Sequence, residues 1–276
     1  LLAASPVLRS QETETREELR TTFLDGQRAA SRGQILQARQ FLQHLQEADY
    51  VLAPYLELHI MLDDLHEVPD AEVRDFMQEY QGTWLGEKLR LNWLVVLRSR
   101  RDYQSYVDNF VPGTGNSSQQ CFYYESLYRL GDQEAAFAGA KQLWLIDESQ
   151  SSGCDWIFAR WRSSDSYDDE YLWQRFILAR RAGESALARY LETAVRDADV
   201  LLRIQAYHKI RTEPEVLEEI QTFIEAGNQY SPVVAQGLRN LAEEDLDLGL
   251  ALWPVYQQSG VMTVEDQAYA VSELLD

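Results

Sequence analysis

Apolar side chains recur every three or four residues along nearly the whole chain. One such stripe comprises Leu85, Leu89, Trp93, Val96 and Leu97. This spacing places the apolar residues on one face of an α-helix. We find no sustained alternation of apolar and polar residues, and no Asn-Gly or Asp-Gly turn between β-branched residues, so strands are not indicated. The sequence therefore predicts an all-α fold.

Two passages have the pattern of a helical hairpin. Gly131-Asp132 and Gly183-Glu184 each separate two helical stripes, and the second stripe of each passage is rich in alanine. Glycine can end a helix in the left-handed conformation, and small alanines let the next helix approach closely. The repeats are irregular and lack a complete tetratricopeptide signature. We therefore predict an irregular helical-hairpin superhelix, that is, a solenoid or the arm of a ring or horseshoe.

Composition excludes several classes of protein. The 276 residues are 45% hydrophobic and 25% charged, as in a globular domain, which argues against a disordered tail, a collagen-like fibre or a disulfide-rich miniprotein. No apolar run approaches the roughly 18 residues that a membrane span needs. The net charge of −20 argues against binding nucleic acid through a basic face.

The negative charge is concentrated near the end of the chain. From Thr212 to Asp276 the sequence has 13 acidic residues and one basic residue, Arg239. Such a stretch is typical of a solvated face that maintains solubility. The alternative is that it faces a basic surface outside this chain.

The two ends of the sequence set the expected domain boundaries. Residues 1–6, Leu-Leu-Ala-Ala-Ser-Pro, have the pattern of the end of a signal peptide, and the alternative is a cloning remnant. We therefore expect residues 1–20 to hold this segment and the start of the first helix. Residues 21–276 are expected to form the helical domain, which we expect to be incomplete because its last helix runs through Leu274-Leu275 without a stop signal.

Helix boundaries after residue 210 can also be predicted. Thr212 is the expected N-cap of a helix with Pro214 in its first turn. Ser231-Pro232 is expected to open the next helix, and Trp253-Pro254 to bend or break the one after it. Thr263 is expected to start the last helix.

The chain has two cysteines, Cys121 and Cys154. In an exported protein an even pair indicates a disulfide, whereas in a cytosolic protein the same pair would be buried free thiols. Cys121 stands beside Phe122-Tyr123-Tyr124 without a histidine close in sequence, so it is not expected to act as a nucleophile.

Few residues have the pattern of a catalytic or metal site. His59, Asp63 and His66 have the i, i+4, i+7 spacing of one helical face and could hold zinc or iron, but no fourth ligand is evident, so we predict no metal site. Acid pairs such as Asp168-Asp169 are expected by chance among 45 acids. The loop at residues 112–118 lacks the ending of a phosphate-binding loop. The seven tryptophans could stack on sugars, but at helical spacing they are more typical of core residues.

Several strings nevertheless resemble one family. They are residues 53–57 (Ala-Pro-Tyr-Leu-Glu), 63–65 (Asp-Asp-Leu), 121–124 (Cys-Phe-Tyr-Tyr), 139–145 (Gly-Ala-Lys-Gln-Leu-Trp-Leu), 149–150 (Ser-Gln) and 154–155 (Cys-Asp), with Phe158 and Trp161. In order and spacing they resemble the N-terminal helical region of the soluble lytic transglycosylases of Gram-negative bacteria. The similarity runs from about Phe23 to Trp161, and more loosely to Asp276.

The resemblance implies a periplasmic protein that acts on peptidoglycan. Family members have a ring-shaped helical U domain, a linker domain and a lysozyme-like catalytic domain. The last of these cleaves the β-1,4 bond between N-acetylmuramic acid and N-acetylglucosamine to a 1,6-anhydro product. One glutamate carries this chemistry without a cofactor. The resemblance also places Cys121 and Cys154 at positions suited to pairing.

This sequence is about half the length the family leads us to expect, and the downstream catalytic strings of the family do not occur in it. Its Glu184-Ser185 matches the catalytic dipeptide of the family but falls in a short turn between two predicted helices, so we expect no catalytic residue here. The chain is therefore predicted to be inactive alone and to position glycan strands within a longer enzyme, with peptidoglycan and cell-wall proteins as partners. The alternative is a stand-alone helical-repeat scaffold of the cell envelope that binds proteins.

Overall fold

The computed structural model describes residues 15–274, and within this range all regular secondary structure is helical.

The chain divides into two compact units, of which the first ends at Gly131 and the second begins at Asp132. The first unit contains seven α-helices: α1 Arg16–Ser31, α2 Ile35–Glu47, α3 Ala53–Asp63, α4 Asp70–Glu79, α5 Trp84–Arg100, α6 Tyr103–Asn109 and α7 Ser117–Arg129. The second contains nine: α8 Gln133–Trp144, α9 Asp155–Arg162, α10 Glu170–Arg181, α11 Ser185–Ala194, α12 Ala198–Thr212, α13 Ile220–Ala226, α14 Ser231–Glu244, α15 Leu246–Ser259 and α16 Val264–Leu274.

Side-chain caps fix the starts of several helices. Thr15 and Glu18 form a reciprocal capping box at the start of α1, and Asn116 and Gln119 form another at the start of α7. These contacts satisfy backbone N–H groups that have no partner within the helix. The prediction of an all-α, helical-hairpin fold is confirmed. None of the described helices is both long enough and apolar enough to cross a bilayer.

The first unit has two apolar cores. Helices α1, α2 and α3 enclose a core that includes Phe23, Leu45 and Leu56. Helices α3 to α7 enclose another around Trp93 of α5, to which α3 contributes Leu58. The hydroxyl of the fully buried Tyr106 donates to the carbonyl of Gln119 at 2.9 Å, which connects α6 to α7. Each helix thus buries its apolar stripe against helices close to it in sequence.

The second unit is organised around α14, which contacts α12, α15 and α16. The predicted hairpin at Gly183 is confirmed, because α10 and α11 pack against each other and Gly183 has a φ of +79°. A polar network connects α12, α14 and α16: Tyr207 and Tyr269 both donate to the side-chain oxygen of Gln236, at 2.9 and 3.0 Å. Because buried polar groups are costly without partners, this network defines how the three helices meet.

One buried carboxylate holds the start of α16. Asp266 accepts hydrogen bonds from Arg181, Ser231 and Thr263, and its own amide donates to the Thr263 hydroxyl at 3.2 Å. Only 5% of the surface of Asp266 is exposed. The expectation that Thr263 starts the last helix is therefore confirmed, as is the opening of α14 at Ser231.

One predicted helix boundary is wrong. Thr212 is the last residue of α12 and not the N-cap of a helix, because Pro214 opens a separate 3-10 turn over Pro214–Glu218. Of the two effects predicted at Trp253-Pro254, a break does not occur, because α15 continues through Pro254 to Ser259, whereas a bend stays a prediction. The signal-peptide prediction for residues 1–6 lies outside the described residues, and one helical domain over 21–276 stays a prediction. The hairpin predicted at Gly131 falls on the boundary between the two units.

The predicted disulfide between Cys121 and Cys154 is confirmed. Cys121 lies in α7, and Cys154 ends the short 3-10 turn Ser152–Cys154. Neither residue is exposed to solvent.

Reduction of this disulfide is expected to destabilise the protein. The bond closes a loop of 33 residues in the unfolded chain (154 − 121 = 33), which corresponds to about 3–4 kcal/mol of stabilisation. Urea unfolding with and without dithiothreitol measures the difference. The double variant Cys121→Ala, Cys154→Ala is the control, since its unfolding should not respond to reductant. Two titratable thiols in the unfolded, unreduced protein would contradict the pairing.

Stability is also expected to fall in alkali, because burial raises the pKa of Tyr207 to about 12. Its pKa in the unfolded chain is about 10, so between pH 10 and 12 the unfolded state loses this proton while the folded state keeps it. The stabilisation is therefore complete below pH 10 and is lost by about pH 12, at a cost of roughly 2–3 kcal/mol. Urea unfolding at pH 9 to 12 should show a shallower loss for Tyr207→Phe, whereas Tyr190→Phe, at an exposed ring, should behave as the unsubstituted protein.

Candidate functional site

A cleft of about 680 Å³ opens in the second unit, beside the loop that follows α9. We call it the arginine cleft. It is lined by Ala159, Arg162, Ser163, Tyr167, Asp168, Asp169, Ala194, Arg196 and Asp197. The residues come from α9, from the loop between α9 and α10, and from the segment between α11 and α12.

The three aspartates of the arginine cleft hold its backbone in place. Asp169 accepts from the amides of Arg196 and Asp197 at 2.6 and 2.8 Å, which fixes the 194–197 segment against the start of α10. Asp168 accepts from the amide of Glu170 at 2.7 Å. Asp197 caps α12 through the amides of Asp199 and Val200. These carboxylates therefore have structural partners, which is the usual role of Asp at helix starts.

The two arginines of the cleft have no ion-pair partner within the described part of the chain. Arg162 lies over the rings of Trp144 and Tyr167, with its guanidinium carbon 5.4 and 5.8 Å from the ring centroids. The Nε of Arg162 and the hydroxyl of Tyr167 are both buried without a hydrogen-bond partner in this part of the chain. Burial, opposed in part by the Arg162 charge, raises the pKa of Tyr167 to about 12. Tyr167 is consequently a neutral hydrogen-bonding group at physiological pH.

A cluster of packed aromatic rings adjoins the arginine cleft. Trp144, Phe158, Trp161 and Tyr171 form a continuous set of ring contacts, and Trp161 makes an edge contact with Tyr167. A second guanidinium, that of the buried Arg175, lies 4.3 Å from the Trp144 ring centroid.

Arg175 donates to the carbonyl of Glu148 at 2.9 Å. Burial lowers its pKa to about 10, and the charge of Arg162 acts in the same direction. Trp144 is thus in contact with two guanidiniums, which its ring face attracts.

This arrangement suits binding better than catalysis. The lining of the cleft contains no histidine, cysteine or glutamate, and its aspartates accept backbone hydrogen bonds. A general acid or base needs a titratable group poised near the operating pH, and a nucleophile needs an activating base. The cleft instead presents the guanidinium groups of Arg162 and Arg196 to a polar ligand. Sequence reasoning missed it, because Asp168-Asp169 was attributed to chance and Arg196 lies 34 residues from Arg162 in sequence.

The histidine spacing does not produce a metal site. Helix α3 ends at Asp63, so His66 lies in the turn beyond it and the three residues do not share a helical face. His59 instead lies 3.2 Å from the hydroxyl of Ser31. No group of three or more potential ligands that could hold a metal ion occurs among residues 15–274.

Glu184 lies in the turn between α10 and α11, as expected, and is exposed. The same Glu-Ser dipeptide also occurs at residues 125–126 and 148–149. Glu125 pairs with Arg129 at 2.8 Å, and Glu148 is exposed. A glutamate that acts as a general acid is typically enclosed in an apolar pocket, and none of these three side chains is.

Most tryptophans are in the positions expected of core residues. Trp93, Trp144, Trp161 and Trp173 are buried. Trp84 is the exception, because 63% of its surface is exposed at the start of α5. Its position in the repeat pattern gave no sign of this exposure.

Comparison with known proteins connects the whole chain to one group of enzymes. The soluble lytic murein transglycosylase of Escherichia coli (strain K12) is 27% identical over 276 residues, which is 100% of this chain and 41% of the relative. The corresponding protein of Salmonella typhimurium (strain LT2) is 34% identical over 143 residues, which is 52% of this chain and 22% of the relative. The chain therefore spans about two fifths of the length of the first relative. No family model matches it.

Solved structures give the same result for the fold. The 70-kDa soluble lytic transglycosylase in complex with bulgecin A superposes with a TM-score of 0.70 at 25% identity, over 95% of this chain and 42% of that chain. An inactive mutant of lytic transglycosylase Slt from Pseudomonas aeruginosa gives a TM-score of 0.74 at 24% identity, over 95% and 41% of the two chains.

The resemblance found in the sequence is thus confirmed: the chain is similar over its whole length to the N-terminal part of the soluble lytic murein transglycosylases.

Proposed function

We propose that this chain is the N-terminal scaffold part of a periplasmic lytic transglycosylase. In that enzyme it holds peptidoglycan strands or completes the helical ring, while residues outside this chain cleave the β-1,4 bond to a 1,6-anhydro product. The observation that carries the proposal is the match over all 276 residues to 41% of a soluble lytic murein transglycosylase.

The described side chains support a binding role. The arginine cleft presents donors to a ligand, and its carboxylates are committed to backbone amides. Glu184, the residue that matches the catalytic dipeptide of the family, is exposed and makes no side-chain cap contact. A family glutamate that acts first as acid and then as base needs a protected environment that raises its pKa.

The purified chain is expected to bind peptidoglycan sacculi without degrading them. Co-sedimentation should recover it with the sacculi, and the turbidity of the suspension should stay constant. Glu125→Gln, Glu148→Gln and Glu184→Gln should behave as the unsubstituted chain. Falling turbidity that any of these substitutions abolishes would overturn the non-catalytic role, whereas failure to sediment with sacculi would favour the protein-binding scaffold.

The native gene product is expected to be much larger than this chain. An antibody against the chain should detect a band at more than twice 31.9 kDa on a denaturing gel of the source cells. A band at 31.9 kDa itself would mean that the scaffold acts alone.

A further inference from the structure

Two aromatic rings form an exposed surface on the first unit. Tyr55, near the start of α3, is 46% exposed, and Trp84, the first residue of α5, is 63% exposed. Their ring centroids lie 6.4 Å apart and their planes differ by 20°. We call this pair the aromatic platform. Large aromatic side chains gain much from burial, so an exposed, mutually stacked pair needs an explanation.

The backbone holds the aromatic platform in a fixed position. Thr83 caps α5 and donates its hydroxyl to the carbonyl of Tyr80 at 2.7 Å. Gly86 lies so close to Tyr80 that a β-carbon there would be 2.4 Å from the Tyr80 carbonyl oxygen. The start of α5 therefore packs directly against the backbone of Tyr80. A surface held in this way loses little conformational entropy when a ligand binds.

A large part of each side chain is uncovered, since Tyr55 is 46% and Trp84 is 63% exposed. Parallel rings in contact are separated by about 3.5–4 Å, so a centroid distance of 6.4 Å means a lateral offset of roughly 5 Å. The two rings consequently form a stepped surface long enough for two consecutive small rings of a ligand. Aromatic faces carry negative charge density and attract the positively polarised edges and C–H groups of such rings.

A cleft of about 430 Å³ is lined by residues that are close in sequence to the aromatic platform. Its lining includes Pro54, which precedes Tyr55 in the sequence, and Tyr80, whose backbone packs against the start of α5. Asp49, Glu57 and Glu79 also line it, and none of the three has an ion-pair partner in the described part of the chain. We call it the acceptor cleft.

The carboxylates of the acceptor cleft are only partly satisfied. Gln46 donates to one oxygen of Glu57 at 3.2 Å, and the Tyr80 hydroxyl donates to one oxygen of Glu79 at 2.8 Å. Burial and the charge of Glu79 raise the pKa of Glu57. Ionised carboxylates are acceptors only, so the cleft favours a ligand with many O–H or N–H donors.

We propose that the aromatic platform and the acceptor cleft together bind a strand of N-acetylated amino sugars. The apolar faces of two consecutive sugar rings lie on Tyr55 and Trp84, and sugar hydroxyl and acetamido N–H groups donate to Glu57, Glu79 and Asp49. The identity of the ligand rests on the function proposed above. A proline-rich peptide also favours exposed aromatic grooves, but proline has no N–H to donate, and its carbonyls would face acceptor-only carboxylates.

The test measures binding of peptide-free glycan strands, prepared from sacculi by amidase digestion, to the full chain by tryptophan fluorescence. Trp84→Ala and Tyr55→Ala should each weaken binding by about tenfold. Tyr190→Ala is the matched control, because that ring is 55% exposed in the second unit, and it should leave binding unchanged. Circular dichroism verifies that the variants fold. Co-sedimentation with intact sacculi is measured in parallel.

The outcomes separate this inference from the proposed function. If the chain binds strands and sacculi and the Tyr55 and Trp84 variants bind equally well, the inference is wrong while the proposed function stands. If the unsubstituted chain binds neither strands nor sacculi, both are wrong. If decaproline binds with a dependence on Trp84 and displaces the strands, the site belongs to a peptide and the inference is overturned.

Discussion

Burial of one apolar stripe per helix against its neighbours is the interaction on which the rest of this structure depends. A single amphipathic helix of this length cannot bury its own stripe and is marginally stable in water. In the first unit, α1 to α3 close one core and α3 to α7 another, so stability is distributed over successive local contacts. In repeat proteins each element is stabilised mainly by the next, and long surfaces stay open for binding.

The charge distribution follows from the same architecture. Acidic residues outnumber basic ones in this chain, which has a net charge of −20. Arg162 and Arg175 nevertheless lie against the ring of Trp144 and not against carboxylates. Aromatic contact lets a guanidinium stay partly desolvated, but it does not use up its hydrogen-bond donors. In the acceptor cleft, by contrast, the three carboxylates have no ion-pair partner in the described part of the chain, and Arg39 acts on Glu57 only through its charge. Both clefts contain hydrogen-bonding groups that contacts within the chain leave partly unused, and functional sites commonly contain such groups.

Local patterns in the sequence were sufficient for the fold class and for many helix ends. Gly183, Ser231 and Thr263 mark helix boundaries because turns and caps depend on a few adjacent residues. Thr212 was misjudged because its residue type suits a cap, while the preceding apolar stripe continues through Ile210 and extends α12 to that position. His66 was misjudged because the spacing rule assumes a helix that in fact ends at Asp63.

The aromatic platform and the arginine cleft could not be predicted from local sequence patterns, because both depend on contacts between distant parts of the chain. Trp84 is exposed at a helix start where Gly86 packs on the backbone of Tyr80, and the arginine cleft depends on contacts of Asp169 with residues 27 and 28 positions later in the chain. These are pairwise tertiary contacts that no periodicity encodes. The two cysteines were an exception, because a bond between the only cysteines in a chain leaves a single choice of partner.

The contact between Arg181 and Asp266 also has a consequence for the order in which the protein can fold. The two residues are separated by 85 positions, and the same carboxylate accepts from Ser231 in α14. Every contact within the first unit lies among residues up to 131, whereas the partly buried guanidinium of Arg181 meets this carboxylate only when α16 packs onto α14. Folding of the second unit is therefore complete only with its last helix.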